Sequence, residues 1–169
     1  MRKRKERNIL TIRHATREDV EAMARIEGES YPPAEGASRE SIAKRVETFP
    51  ECFWIWEEEG EILAFINGMA TNERDLRDEM YERAELHDPR GAWLMLFSVV
   101  TGPGRRHQGK ASALMRRVLE ESREKREGVV LTCKEELLGF YGRFGFVSEG
   151  VSASAHGGSV WYQMRLKFR

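Results

Sequence analysis

The chain has 169 residues, 40% of them hydrophobic and 33% charged, which is typical of one folded domain and excludes a disordered chain. Its 28 basic and 28 acidic residues balance, so no overall charge favours nucleic acid or a membrane surface as partner. No apolar run approaches the about 20 residues that cross a bilayer. Two cysteines make neither a disulfide framework nor a metal cluster. We therefore expect a cytoplasmic protein with neither nucleic acid nor membrane as partner.

The chain begins with the basic octet MRKRKERN. We interpret residues 1–8 as a solvated tail, because the strand pattern that follows excludes a secretory signal and the run is short for a nucleic-acid arm. A single domain is expected over residues 9–169. The patterns in its first half predict a strand at 9–13, a helix capped by Thr16, a loop at 28–37, a helix capped by Ser38 and a hairpin of strands 52–57 and 61–67.

The second half begins with a polar segment at 71–90, which we interpret as a loop with a short helix near 75–84. Residues 93–100 are nearly all apolar and predict a central strand. Further patterns predict a helix from 111, a strand at 129–133, a short helix at 135–144 and strands at 146–151 and 159–168. This order is typical of an α/β domain with a mixed sheet. The alternating last strand is expected either at the sheet edge or paired with another subunit, so monomer and homodimer both stay open.

The turn between the central strand and the next helix predicts an anion site. Thr101-Gly102-Pro103-Gly104 ends the strand, and Arg105 to Lys110 add basic residues and a glycine before the helix. The first amides of a helix lack intrahelical partners, and the helix dipole favours negative charge there. A ligand that carries phosphate groups is therefore expected at this turn.

Two motifs connect this turn to a known family. RHQGKA at 106–111 matches R/Q-x-x-G-x-G/A, and FYGRFGF at 140–146 matches F-Y-x-x-x-G-F. In this order and spacing they resemble the Gcn5-related N-acetyltransferase (GNAT) superfamily. Segments 31–38, 65–68 and 150–158 resemble its arylalkylamine N-acetyltransferase-like branch. The resemblance implies the GNAT fold, classed as α/β or α+β. Its mixed, mostly antiparallel sheet has six to seven strands, is flanked by about four helices and splays at the donor-binding strand.

The resemblance implies acetyl-coenzyme A as co-substrate, and no metal. Backbone groups of the splayed strand would hold the pantetheine arm and polarise the thioester, while the turn amides and cations would hold the phosphates. The donor-site residues are then Ser98, Val99, Val100, Arg105, Arg106, Gln108, Gly109, Lys110, Ala111 and Ser112. Tyr141 matches the general acid that protonates the departing thiolate, a role that suits a phenol with pKa near ~10.

The acceptor side departs from the arylalkylamine pattern. Vertebrate members of that branch carry two histidines on the strand before the phosphate turn, where this chain has Leu94 and Leu96. The base is therefore unassigned, and a water chain ending at Glu35, Glu79 or a histidine is one route. The candidates for the acceptor pocket are carboxylates and aromatic or imidazole side chains that suit a cationic amine: Tyr31, Glu35, Asp78, Glu79 and His156.

The resulting hypothesis is direct transfer of acetyl to a small primary amine, aromatic amines included, in a ternary complex. Two alternatives stay open. A protein or peptide N-acetyltransferase would use the acidic segment 73–85 for docking. A non-catalytic acyl-coenzyme A sensor would account for the missing base.

Overall fold

One seven-stranded sheet organises the computed structural model, which describes residues 9–168. The basic octet predicted to be a tail lies outside these residues. The strands follow the order β1-β2-β3-β4-β5-β7-β6 across the sheet. They are β1 Leu10–Arg13, β2 Phe53–Glu58, β3 Glu61–Thr71, β4 Trp93–Thr101, β5 Gly128–Cys133, β6 Val147–Val151 and β7 Tyr162–Lys167.

Strand pairing confirms the mixed, mostly antiparallel sheet, because only β4 and β5 run parallel among the described strands. Their pairing stops at Leu96 and Leu131. On its other edge β4 follows β3 as far as Thr101, with a bulge where the register shifts between Asn67 and Gly68. The half of β4 beyond Leu96 therefore separates from β5, and the predicted splay lies at this point.

Within residues 9–168, five α-helices flank the sheet, two of them only five residues long. They are α1 Val20–Ser30, α2 Arg39–Thr48, α3 Asp78–Glu82, α4 Lys110–Arg123 and α5 Leu138–Gly142. The predicted cap of α2 is confirmed, because the Ser38 side chain accepts a hydrogen bond from the Ser41 amide at 3.1 Å. Helix α4 buries the apolar residues Leu114, Met115 and Val118 and packs on β2 to β5. Across residues 9–168, no helix combines the length and the apolar character needed to cross a membrane.

The last strand corrects one expectation. Strand β7 is not an edge, because it lies between β5 and β6. Its polar residues Gln163 and Arg165 are buried and donate hydrogen bonds to Asp75 and Glu149. The alternating pattern therefore marks a face covered by carboxylates and not a solvated face. Strand β6 is the edge instead.

Candidate active site

The turn between β4 and α4 has the backbone expected of an anion cradle. Gly104, His107 and Gly109 adopt left-handed conformations with φ of 79°, 61° and 77°. Such residues turn successive amides toward one side of the chain. Arg105 and Arg106 are exposed, so both guanidinium groups can neutralise phosphate charge.

Lys110, the first residue of α4, is placed differently from the two arginines. It is only 7% exposed, and its Nζ donates to Gln108 Oε1 at 2.7 Å. The same nitrogen lies 4.0 Å from Glu58 Oε1 and 5.5 Å from the Trp56 ring centroid. Its side chain is thus engaged by protein groups, which leaves the backbone amide as the group free for an anion.

A cavity of about 220 Å³ opens where β4 separates from β5. The predicted donor strand and the predicted acid meet here, because Val99 and Tyr141 both line it. The acceptor candidates Tyr31, Glu35 and His156 line it as well, and the Tyr31 hydroxyl donates to the Val99 carbonyl at 3.4 Å. The remaining lining residues are Ser30, Pro32, Tyr81, Leu96, Phe97, Ser98, Leu131, Thr132, Cys133, Lys134, Leu137 and Trp161.

Tyr141 lies in an apolar environment that keeps its phenol protonated. The residue is 6% exposed, and its ring packs edge-on against Phe140 and Phe146. Burial raises the pKa of Tyr141 well above its ordinary value, and Cys133 adds to the increase. The phenol is therefore protonated at neutral pH.

A second cavity, of about 270 Å³, adjoins the first. It is formed by the loop at 34–38, by Arg45 and by Glu82, and it shares a wall with the first cavity. Within that wall the rings of Tyr81 and His156 stack at 4.8 Å with an interplanar angle of 13°. The wall consists of Glu35, Tyr81, Phe97, Ser98 and His156.

Glu35 is a structural anchor in this wall. Its side chain is 5% exposed and pairs with Lys134 at 2.9 Å, and it accepts from Ser159 Oγ at 2.7 Å. Its backbone carbonyl lies 2.7 Å from His156 Nε2, which must therefore carry the proton. The Lys134 and Ser159 hydrogen bonds lower the pKa of Glu35. A carboxylate held in this way joins the α1–α2 loop to the C-terminal segment but is a weak base.

The structure places the other two predicted carboxylates outside both cavities. Asp78 accepts from Ser154 Oγ at 2.5 Å and from the Ala155 amide at 3.1 Å, so it fastens the loop before β7. Glu79 forms ion pairs with Arg77 and Arg83. Neither residue is brought to Tyr141.

Two buried charged residues near this shared wall, Arg45 and Glu27, were not among the residues predicted from the sequence. Arg45 donates to Asn67 Oδ1 at 3.2 Å and to the Tyr81 carbonyl at 2.9 Å, and its guanidinium lies 4.7 Å from the Phe97 ring centroid. Glu27 is 1% exposed and accepts from Ser98 Oγ at 3.2 Å. The available signal was a charged residue on the apolar face of a helix, since Glu27 follows Val20 and Met23 at helical spacing.

A grouping of Glu51, Cys52 and His87 lies away from these cavities, with potential ligand atoms within 4.8 Å of one another. His87 Nδ1 accepts from the Ala70 amide at 3.1 Å, so the proton is on Nε2, which lies 3.2 Å from Glu51 Oε1. Burial raises the pKa of Cys52 to about 12. A metal ion could bind here only by displacing the Ala70 hydrogen bond or the Nε2 proton of His87 and the thiol proton of Cys52.

Comparison with known proteins identifies the family. The Acetyltransferase (GNAT) family model matches residues 19–146. The chain belongs to this family. The resemblance stated from the two motifs is thereby confirmed, together with the GNAT fold and N-acetyltransferase activity.

Serotonin N-acetyltransferase of Mesocricetus auratus is 29% identical over 163 residues, covering 94% of this chain and 77% of that protein. The GphF GNAT-like decarboxylase in complex with isobutyryl-CoA has a TM-score of 0.81 and 24% identity, covering 94% of this chain and all of that one. A GNAT family acetyltransferase from Brucella melitensis in complex with acetyl-CoA has a TM-score of 0.62 and 19% identity, covering 96% and 90% of the two chains. GNAT proteins that share the fold thus bind acyl-coenzyme A thioesters.

Proposed function

We propose that the chain transfers acetyl from acetyl-coenzyme A to a small primary amine by direct attack in a ternary complex. The observation that carries the proposal is the cavity at the splay, which Val99 of the donor strand and Tyr141 line together. A thioester held there would have its sulfur within reach of a proton donor.

The donor half follows from the geometry of β4. Among residues 9–168, β4 beyond Leu96 pairs with a strand on one edge only, so no neighbouring strand uses the backbone groups of its other edge, and these would hold the pantetheine arm. The arm would lead to the left-handed turn at 104–109, whose amides and two exposed arginines suit a pyrophosphate. Donors arranged before the reaction in this way stabilise charge as it develops on the thioester carbonyl.

The acid step is assigned to Tyr141. When the C–S bond breaks, the thiolate needs a proton, and burial has kept the phenol protonated. No covalent intermediate on the protein is required, because the amine can attack the carbonyl directly. The reaction class is therefore acyl transfer with general acid catalysis.

The acceptor half favours a small amine over a peptide. The outer wall of the cavities consists of the α1–α2 loop and the segment before β7, which Glu35 joins through Ser159 and His156. Lys134, directly after β5, holds the same carboxylate. An extended peptide needs a long groove, whereas these contacts hold the loop and the C-terminal segment together beside the cavities, an arrangement that favours a compact acceptor. The stacked rings of Tyr81 and His156, with Trp161 6.1 Å from His156, suit an amine with an apolar or aromatic body.

The test is release of coenzyme A thiol from acetyl-coenzyme A with tryptamine, phenethylamine, polyamines and a peptide array as acceptors. We expect release with a small amine and a loss of about 10²-fold or more in kcat for Tyr141→Phe, with acetyl-coenzyme A affinity unchanged in calorimetry. Tyr162→Phe, on β7 and outside both cavities, is the matched control and should keep the wild-type rate. Release with peptides alone supports the peptide alternative, and donor binding without release for any acceptor supports the sensor.

A further inference from the structure

Glu27 is a buried carboxylate whose hydrogen bonds are incomplete. Its Oε2 accepts from Ser98 Oγ at 3.2 Å, whereas its Oε1 is buried and has no hydrogen-bond partner among residues 9–168. A carboxylate oxygen without a partner is costly in a protein interior. The carboxylate offsets the charge of the buried Arg45 guanidinium, and its Oε1 stays available to accept a proton.

Ser98 connects this carboxylate to the reaction space. Ser98 lines both cavities, whereas Glu27 lines neither. The Ser98 hydroxyl therefore offers a hydrogen-bonded path from a group bound in either cavity to Glu27. Because Ser98 lies next to Val99, a proton on this path would start close to the thioester.

Several charged and titratable groups lie near Glu27. Burial raises its pKa, while donation from Ser98, the positive charge of Arg45 and the nearby Ala37 backbone amide lower it. Tyr31 and Tyr81 also face it, and their own pKa values are raised, by burial first and then with a contribution from Glu27. The net result is a carboxylate that accepts a proton more readily than one in water.

We propose that Glu27, acting through the Ser98 hydroxyl, takes the proton that the ammonium form of the acceptor must lose before it attacks. This role rests on the proposed function. It supplies the missing base, because Leu94 and Leu96 do not titrate, Glu35 is held by Lys134, and Glu79 lies outside both cavities.

The protons balance over one turnover. The ammonium gives one proton to Ser98 Oγ while the Ser98 hydroxyl proton passes to Glu27, which later releases it to water. The neutral nitrogen attacks the carbonyl carbon, a C–N bond forms and the C–S bond breaks. Tyr141 protonates the thiolate, and the second proton lost by the nitrogen restores the phenol. The products are an amide, coenzyme A and one proton.

The experiment compares Glu27→Gln and Ser98→Ala with the wild type on two amines of similar shape. Phenethylamine is almost fully protonated near neutral pH, since alkylamines titrate near ~10. β,β-Difluorophenethylamine is a much weaker base and is partly neutral without help from the protein. Asp19→Asn is the matched control for a loss of stability alone. It removes a buried carboxylate that lies in the turn before α1 and pairs with Arg13.

We expect both variants to lose about 10²-fold in kcat with phenethylamine near neutral pH and much less with the fluorinated amine. The loss with phenethylamine should shrink as the pH rises, because free amine then accumulates without a base. Asp19→Asn should lower the melting temperature and leave both rates unchanged. If Glu27→Gln does not fold, Ser98→Ala decides the question.

Equal losses of kcat with both amines, or a loss that does not change with pH, would assign Glu27 and Ser98 a structural role. That outcome would overturn the proposed base and leave the proposed acetyl transfer unaffected. If the wild-type protein releases no coenzyme A with any of the amines tested, the proposed function is overturned, and this role with it.

Discussion

Gly68→Ala tests whether the bulge that opens the sheet is set by backbone contact. Gly68 lies in β3 at the register shift opposite Leu96. A Cβ at this position would lie 2.1 Å from the Met95 carbonyl oxygen and 3.1 Å from Leu96 Cα. Both atoms belong to the β4 backbone, so no side chain can rotate away to make room.

The cost follows from the distance that β4 must move. Ordinary contact requires a separation about 1 Å larger than 2.1 Å, and a ladder hydrogen bond lengthened by about 1 Å is lost. Two or three such bonds at about 1 kcal/mol each give a loss of about 2–3 kcal/mol in the free energy of unfolding. For a domain of this size we expect a fall of about 4–12 °C in the melting temperature. Acetyl-coenzyme A affinity should fall too, because the splay moves with the bulge.

Thermal and urea denaturation of the variant give both quantities. Gly28→Ala is the matched control, because Gly28 lies inside α1 and a Cβ there would meet nothing within 4 Å. That change should stabilise the protein by about 0.5–1 kcal/mol. A Gly68→Ala protein that melts within about 2 °C of the wild type would refute the argument that backbone contact sets the bulge.

Two further predictions concern the donor turn and the outer wall. Gly109→Trp should abolish acetyl-coenzyme A binding in calorimetry. Gly109→Ala should keep measurable binding and lose about 1–2 kcal/mol of stability, because φ at this position is +77°. Wild-type affinity in the Trp variant would show that acetyl-coenzyme A does not bind at this turn. Glu35→Gln should be less stable than the wild type by about 1–3 kcal/mol near neutral pH. Because the pKa of Glu35 is lowered in the folded state, its contribution is present above the unfolded pKa of ~4.3 and fades as the pH falls through the folded value. Urea denaturation at several pH values measures this difference, and a difference that persists in acid would contradict the ion pair with Lys134.

Much of the fold could be predicted because its signals are local. Alternation and helical spacing placed the strands, α1, α2 and α4, since each pattern reports which side of an element is apolar. The two motifs at 106–111 and 140–146 led to the family and to Tyr141, because a left-handed turn and a proton-donating phenol depend on particular residues at short spacing. The proposed donor half of the site could thus be predicted from the sequence by itself.

The acceptor half was decided by contacts between distant residues. Glu35 looked like a free carboxylate until the fold brought Lys134, 99 positions away, within hydrogen-bond distance. Glu27 meets Ser98 across 71 positions, and β7 enters the sheet between β5 and β6. Local patterns report only whether a residue is polar, whereas the state of a buried carboxylate depends on which partners the tertiary structure brings to it. The tertiary structure alone therefore separated the carboxylates that hold the walls from the one that we propose as the proton acceptor.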